Sequence, residues 1–178
     1  MLETLTWFVP GAAVSALLAL LLATPLARRL RTSSPVAWLL IAGLGAILSA
    51  TLTPIAPGID GPPSSVGTCD FHRMTLAPLA VLMRINDTSL NVALFMPIGL
   101  AVGLLPWSWQ KVMVLIVALA LPFLVETVQL LAPSLDRSCE SADVIDNLTG
   151  LFAGLIAGTV LGLTVAAARL AIDVAKTR

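Results

Sequence analysis

Charge is scarce in this sequence. Asp, Glu, Lys and Arg make up 11% of its 178 residues, where a soluble domain carries about 25%. That deficit excludes an ordinary water-soluble globule. The ten basic residues are matched by ten acidic ones, which leaves no basic stripe for nucleic acid. One histidine, His72, is present, and neither an H-E-x-x-H helix nor a G-x-S-x-G nucleophile elbow occurs. Carboxylates alone suit a hard cation, but no diagnostic ligand spacing appears, so neither a metal nor a cofactor is expected. Low-complexity tracts and internal repeats are missing too. Residues 1–178 are therefore expected to form one domain.

What fills the chain instead is apolar sequence: 58% of residues are hydrophobic and the mean hydropathy is +0.98. Runs at residues 5–27, 36–53, 90–106, 112–132 and 144–172 approach the roughly 20 residues that cross a bilayer core. The expected fold is all-α, a polytopic helical membrane protein with five transmembrane helices. The first run lacks the basic residue that precedes a secretory signal, and Arg28, Arg29 and Arg31 follow it, so it reads as a retained span. Arg28, Arg29, Arg31, Lys111, Arg169, Lys176 and Arg178 fall on one side of this arrangement, and Arg73, Arg84 and Arg137 on the other. The positive-inside rule then sets the N-terminus outside and the C-terminus in the cytoplasm. Residues 54–89 and 133–143 become outward loops.

The first outward loop is rich in Pro, Gly and Ser up to Cys69 and reads as irregular chain. Residues 74–85 are apolar but interrupted by Pro78 and Arg84, too short and too polar to span. They read as an interfacial or re-entrant segment on the outer surface. His72, between Asp70 and Arg73, reads as an interface residue more readily than as a proton carrier. Each outward loop carries one cysteine, Cys69 and Cys139. On the oxidising side of the membrane the pair is expected to form a disulfide.

Two motifs interrupt the apolar pattern. Asn91-x-x-x-Phe95-x-Pro97-x-Gly99 opens the third span, and Asn91, Phe95, Gly99 and Gly103 recur on one helical face. Pro97 lacks an N–H and is expected to kink that helix. The second motif is Glu126-x-x-Gln129, followed by Arg137-x-x-Glu140-x-x-Asp143-x-x-Asp146-Asn147-x-x-Gly150. Glu126 and Gln129 share a face, and Pro122 frees a carbonyl one turn earlier. Asp143, Asn147, Gly150, Gly154 and Gly158 fall on adjacent turns, where small residues let helices approach closely in lipid. An ionisable group in hydrocarbon costs roughly 2.5–3.5 kcal/mol on insertion scales. A cluster of acids, amides and an arginine therefore points to a ligand more than to packing.

Together the two motifs resemble the VanZ-like family of membrane proteins, named for a factor associated with teicoplanin resistance. The resemblance covers residues 91–158, with Asn91, Phe95, Pro97, Gly99, Glu126, Gln129, Arg137, Asp143, Asn147 and Gly150 at the family's characteristic positions. Glu140 departs from it, since members commonly carry aspartate there. The resemblance implies a role at the cell envelope and no settled reaction.

The candidate ligand-binding residues are Asn91, Glu126, Gln129, Arg137, Glu140, Asp143, Asp146 and Asn147. Arg137 suits phosphate or carboxylate through its planar fork, while Glu126, Asp143 and Asn147 suit ammonium or hydroxyl groups. An outward polar niche among apolar helices fits an amphiphile: a phospholipid, a lipid-linked cell-wall precursor or a lipoglycopeptide antibiotic. The alternative is a membrane enzyme acting on a lipid head group, with Glu126 as acid and Asp143 as base.

Overall fold

In lipid a backbone can satisfy its polar groups only internally, so long apolar runs fold as helices. The computed structural model describes residues 7–54, 67–135 and 137–177. In chain order it contains α1 (Phe8–Leu30), α2 (Ser34–Thr51), the short strand β1 (Cys69–Asp70), α3 (Leu79–Leu82), α4 (Asp87–Leu104), α5 (Trp109–Leu131), β2 (Cys139–Glu140) and α6 (Ser141–Lys176). Among the described residues all but α3 of these helices are long and apolar enough to cross a membrane, which makes five. This is a multi-pass membrane protein. The start of the expected first span and most of the Pro/Gly/Ser-rich loop, at residues 1–6 and 55–66, lie outside the described residues.

Helix ends differ from the hydropathy limits because caps are polar. α4 starts at Asp87, ahead of the apolar run, in a reciprocal capping box. The Ser89 backbone N–H donates to Asn86 Oδ1 at 2.9 Å, and the Asn86 N–H donates to Ser89 Oγ at 3.1 Å. α5 starts behind Ser108, whose Oγ accepts from the Lys111 N–H at 3.3 Å. α6 begins at Ser141, so Asp143 lies in its first turn, where an acidic side chain faces the positive end of the helix dipole. Pro97 sits inside α4, which continues past it as helix to Leu104.

α1 and α2 form a tight hairpin turned at Arg31, the residue with φ of 53°. That conformation lets the Thr32 N–H reach Ala27 O at 3.0 Å and close the helix end. Small residues bring the pair together: Gly11 faces Ser49, and Gly45 faces Ser15. α4 and α6 approach still more closely. Gly99 and Gly103 of α4 lie against the α6 backbone near Leu151 and Leu155, and Gly150, Gly154 and Gly158 lie against the α4 carbonyls of Val92, Met96 and Leu100. The glycine face expected from the sequence is this contact. Ile47 of α2, Phe95, Ile98 and Val102 of α4, Ala118 and Val125 of α5 and Leu151 of α6 fill the core between the four helices.

One end of the bundle is strapped by the segments that precede α3 and α6. β1 and β2 pair in parallel, Cys69 with Cys139 and Asp70 with Glu140, and a Cys69–Cys139 disulfide joins them across 70 residues of chain. The expected bridge is present. Behind it, Arg73 pairs with Asp146 and Ser141 Oγ donates to Arg73 O at 2.8 Å, fastening residues 69–75 over the start of α6. The following chain does not span. Phe71, Met74, Leu76, Leu79, Met83 and Ile85 are all exposed, as an interfacial segment requires. His72 is exposed as well, its N–H donating to Asp70 Oδ1 at 2.8 Å.

Candidate ligand-binding site

At the strapped end the chain has just left α2, and the helix leaves its last carbonyls without intrahelical donors. Two side chains of the second motif supply them. Arg137 donates from Nε to Thr53 O at 3.2 Å and from Nη2 to Ala50 O at 2.6 Å. Gln129 Nε2 donates to Thr51 O at 3.0 Å. A cation at a helix C-terminus also complements the dipole. One turn before Gln129, Glu126 Oε2 accepts the Glu140 N–H at 2.7 Å, tying α5 to the start of α6. The motif therefore has a structural half, which knits α2, α5 and α6 together.

Its other half faces open space. A cavity of about 630 Å³ lies between α2, α4, α5 and α6, and its wall includes Asn91, Glu126, Gln129, Arg137, Asp143 and Asn147. Gln129 and Asn147 are 4% and 1% exposed, yet Gln129 Oε1 and Asn147 Oδ1 have no hydrogen-bond partner among the described residues. Buried polar atoms are seldom left so. Asp143 is half-buried one turn before Asn147, with its carboxylate available to the cavity. Burial lowers the Arg137 guanidinium from its ordinary value, against the pull of Asp143 and Glu126. It remains a cation, as arginine does in proteins. Asp87 stands on the same wall and is exposed.

Away from these groups the wall turns apolar. Gly43, Ala46 and Ala50 of α2 face Leu90, Ala93, Leu94 and Pro97 of α4. Seven residues at 1.5 Å rise make this groove about 10 Å long. Sequence reasoning about charged residues missed it, although Gly43, Ala46 and Ala50 recur at helical spacing, a signal legible without the structure.

Two of the eight expected residues stand elsewhere. Asp146 is 1% exposed and engaged by Arg73, which sequence reasoning left among the outer-loop charges. Glu140 lines a second cavity of about 500 Å³ with Cys69, Phe71, Met74 and Phe123, and its Oε1 accepts from Ser138 Oγ at 2.8 Å. Glu126 borders both cavities. Among the described residues no three His, Cys, Asp or Glu side chains converge to hold a metal ion.

The VanZ/LLP1 family model matches residues 40–162, from the middle of α2 into α6. This range includes every side chain named above on the polar wall and leaves out α1. No curated protein and no solved structure matches the chain.

Proposed function

This chain belongs to the VanZ/LLP1 family, and we propose that it binds or moves an amphiphile of the cell envelope. The head occupies the polar wall around Asp143 and Gln129, and an acyl or lipophilic tail lies between α2 and α4. The observation that supports this reading is the continuity of one cavity from unpartnered polar atoms to an apolar groove. A ligand polar throughout would waste the groove, and one apolar throughout would leave buried polar atoms unsatisfied at a cost of about 1–3 kcal/mol each. A phospholipid, a lipid-linked cell-wall precursor and a lipoglycopeptide antibiotic share this chemistry. Sequestering either of the last two is the route by which such a site would give teicoplanin resistance.

The reading requires the cavity to open to the outer leaflet, with the N-terminus outside and the C-terminus in the cytoplasm. Arg28, Arg29 and Arg31 at the α1–α2 turn and Lys111 near the start of α5 support that orientation through the positive-inside rule. A reporter active only in the cytoplasm should give signal when fused after Arg178 and none when inserted near Gly61. The reverse pattern would overturn the orientation.

Ala46→Leu tests the groove without touching a charged group. Added methyl groups in a filled space cost about 1–3 kcal/mol, so ligand occupancy should fall roughly tenfold or more. Native mass spectrometry after gentle extraction should find an amphiphile on the wild type and much less on the variant. Equal retention by the two proteins would remove the groove from the account.

A further inference from the structure

Resting on the amphiphile reading, we propose that the head group this cavity takes carries a primary ammonium. Consider which hydrogen-bonding capacity on the wall is still open. Gln129 donates Nε2 to Thr51 O, which fixes the orientation of its amide and leaves Oε1, an acceptor, without a partner. Asn147 Oδ1 is a second such acceptor. Glu126 engages the Glu140 N–H through Oε2 alone, so Oε1 is a third. The Asp143 carboxylate, with no hydrogen bond or ion pair among the described residues, adds two more oxygens on the same wall. The buried side-chain atoms left without a partner are both acceptors, and Gln129 and Asn147 are more than nine-tenths buried.

Charge selects in the same direction. Glu126 and Asp143 face the cavity, with Arg137 as the single cation among the described residues on its wall, and two of the Arg137 nitrogens already donate to carbonyls at and just past the end of α2. A purely anionic head would meet two carboxylates across a low-dielectric gap, which is costly. A sugar hydroxyl brings one donor and no charge. A primary ammonium brings three donors on a compact cation, matching both the acceptors and the surplus of acid. The remaining Arg137 N–H groups and the Asn91 amide can take a neighbouring phosphate oxygen, so a zwitterionic phosphoethanolamine-type head fits the whole wall. A quaternary ammonium has the charge but no N–H, and the orphaned amide oxygens would stay unpaired.

The test compares phosphatidylethanolamine, phosphatidylcholine and phosphatidylglycerol of identical acyl chains, titrated onto the delipidated full-length protein and read by native mass spectrometry. Charge-assisted hydrogen bonds of this kind favour phosphatidylethanolamine by about tenfold over both others. Asp143→Asn, nearly isosteric, should bring phosphatidylethanolamine down to the phosphatidylcholine level. Equal binding of phosphatidylethanolamine and phosphatidylcholine by the wild type, or a preference for phosphatidylglycerol, would overturn the ammonium inference and leave the amphiphile reading intact. Binding of all three that is insensitive to Ala46→Leu would sink the amphiphile reading itself.

Discussion

Gly154→Leu is expected to abolish the folded state rather than weaken it. A Cβ at this position would run into the carbonyl oxygen of Met96 and stand 2.7 Å from Leu100 N. Both are backbone atoms of α4, which cannot step aside as a side-chain tip can. Overpacking typically costs 1–3 kcal/mol, and a backbone obstacle should take the loss above about 3 kcal/mol. The glycines of α4 and α6 interlock along the whole contact, so relief at one turn means parting the helices. Parting them would separate Asn91 on α4 from Asp143 and Asn147 on α6. Gly162→Leu is the control, because its added carbon meets only Leu104 Cδ2 at 3.9 Å, and a change within about 0.5 kcal/mol is expected there. Thermal unfolding in mild detergent separates the two. A Gly154→Leu protein that melts like the wild type would show that α4 and α6 do not pack this way.

Arg73→Met should produce the second large loss. The Asp146 side chain is 2% exposed and Arg73 is its cation. Arg73 also donates to Thr75 O at 3.0 Å and lies 3.4 Å from Ala142 O. Removing one member of a buried pair strands the other, at about 3–5 kcal/mol. Adding Asp146→Asn removes the stranded charge, so the double variant should be more stable than Arg73→Met alone. A double-mutant cycle on melting curves measures the coupling. Strictly additive effects would mean that residues 69–75 are not anchored through this pair. Because the disulfide holds the same segment, all four proteins should be compared with it intact.

The membrane helices were legible because each is a run of apolar residues long enough to span, and only their capped ends escaped. Hydropathy discards Asp87, Thr88 and Ser89 as loop, whereas the Asn86–Ser89 box makes Asp87 the first residue of α4. The disulfide was legible because one cysteine fell in each of two loops on the same side. The Arg73–Asp146 pair is not legible in the sequence, because its members lie 73 positions apart and no local pattern links them. Arg137 posed a different difficulty. Its partners, Ala50 O and Thr53 O, are backbone atoms without a residue-type signature, so the sequence displays the arginine and hides what it holds. The groove is half legible: the spacing of Gly43, Ala46 and Ala50 marks one small-residue helix face, but only the gap beside α4 separates a groove from ordinary helix packing.

We propose that one amphiphile occupies this cavity, head on the polar wall and tail between α2 and α4. The most direct measurement is a cryo-EM map of the full-length protein, reconstituted in lipid nanodiscs with a rigid binder for size. An elongated density is expected, running from hydrogen-bonding distance of Asp143 and Gln129 Oε1 along Gly43, Ala46 and Ala50. A map in which α2 and α4 close on one another and lipid density lies only on the outer surface would contradict it.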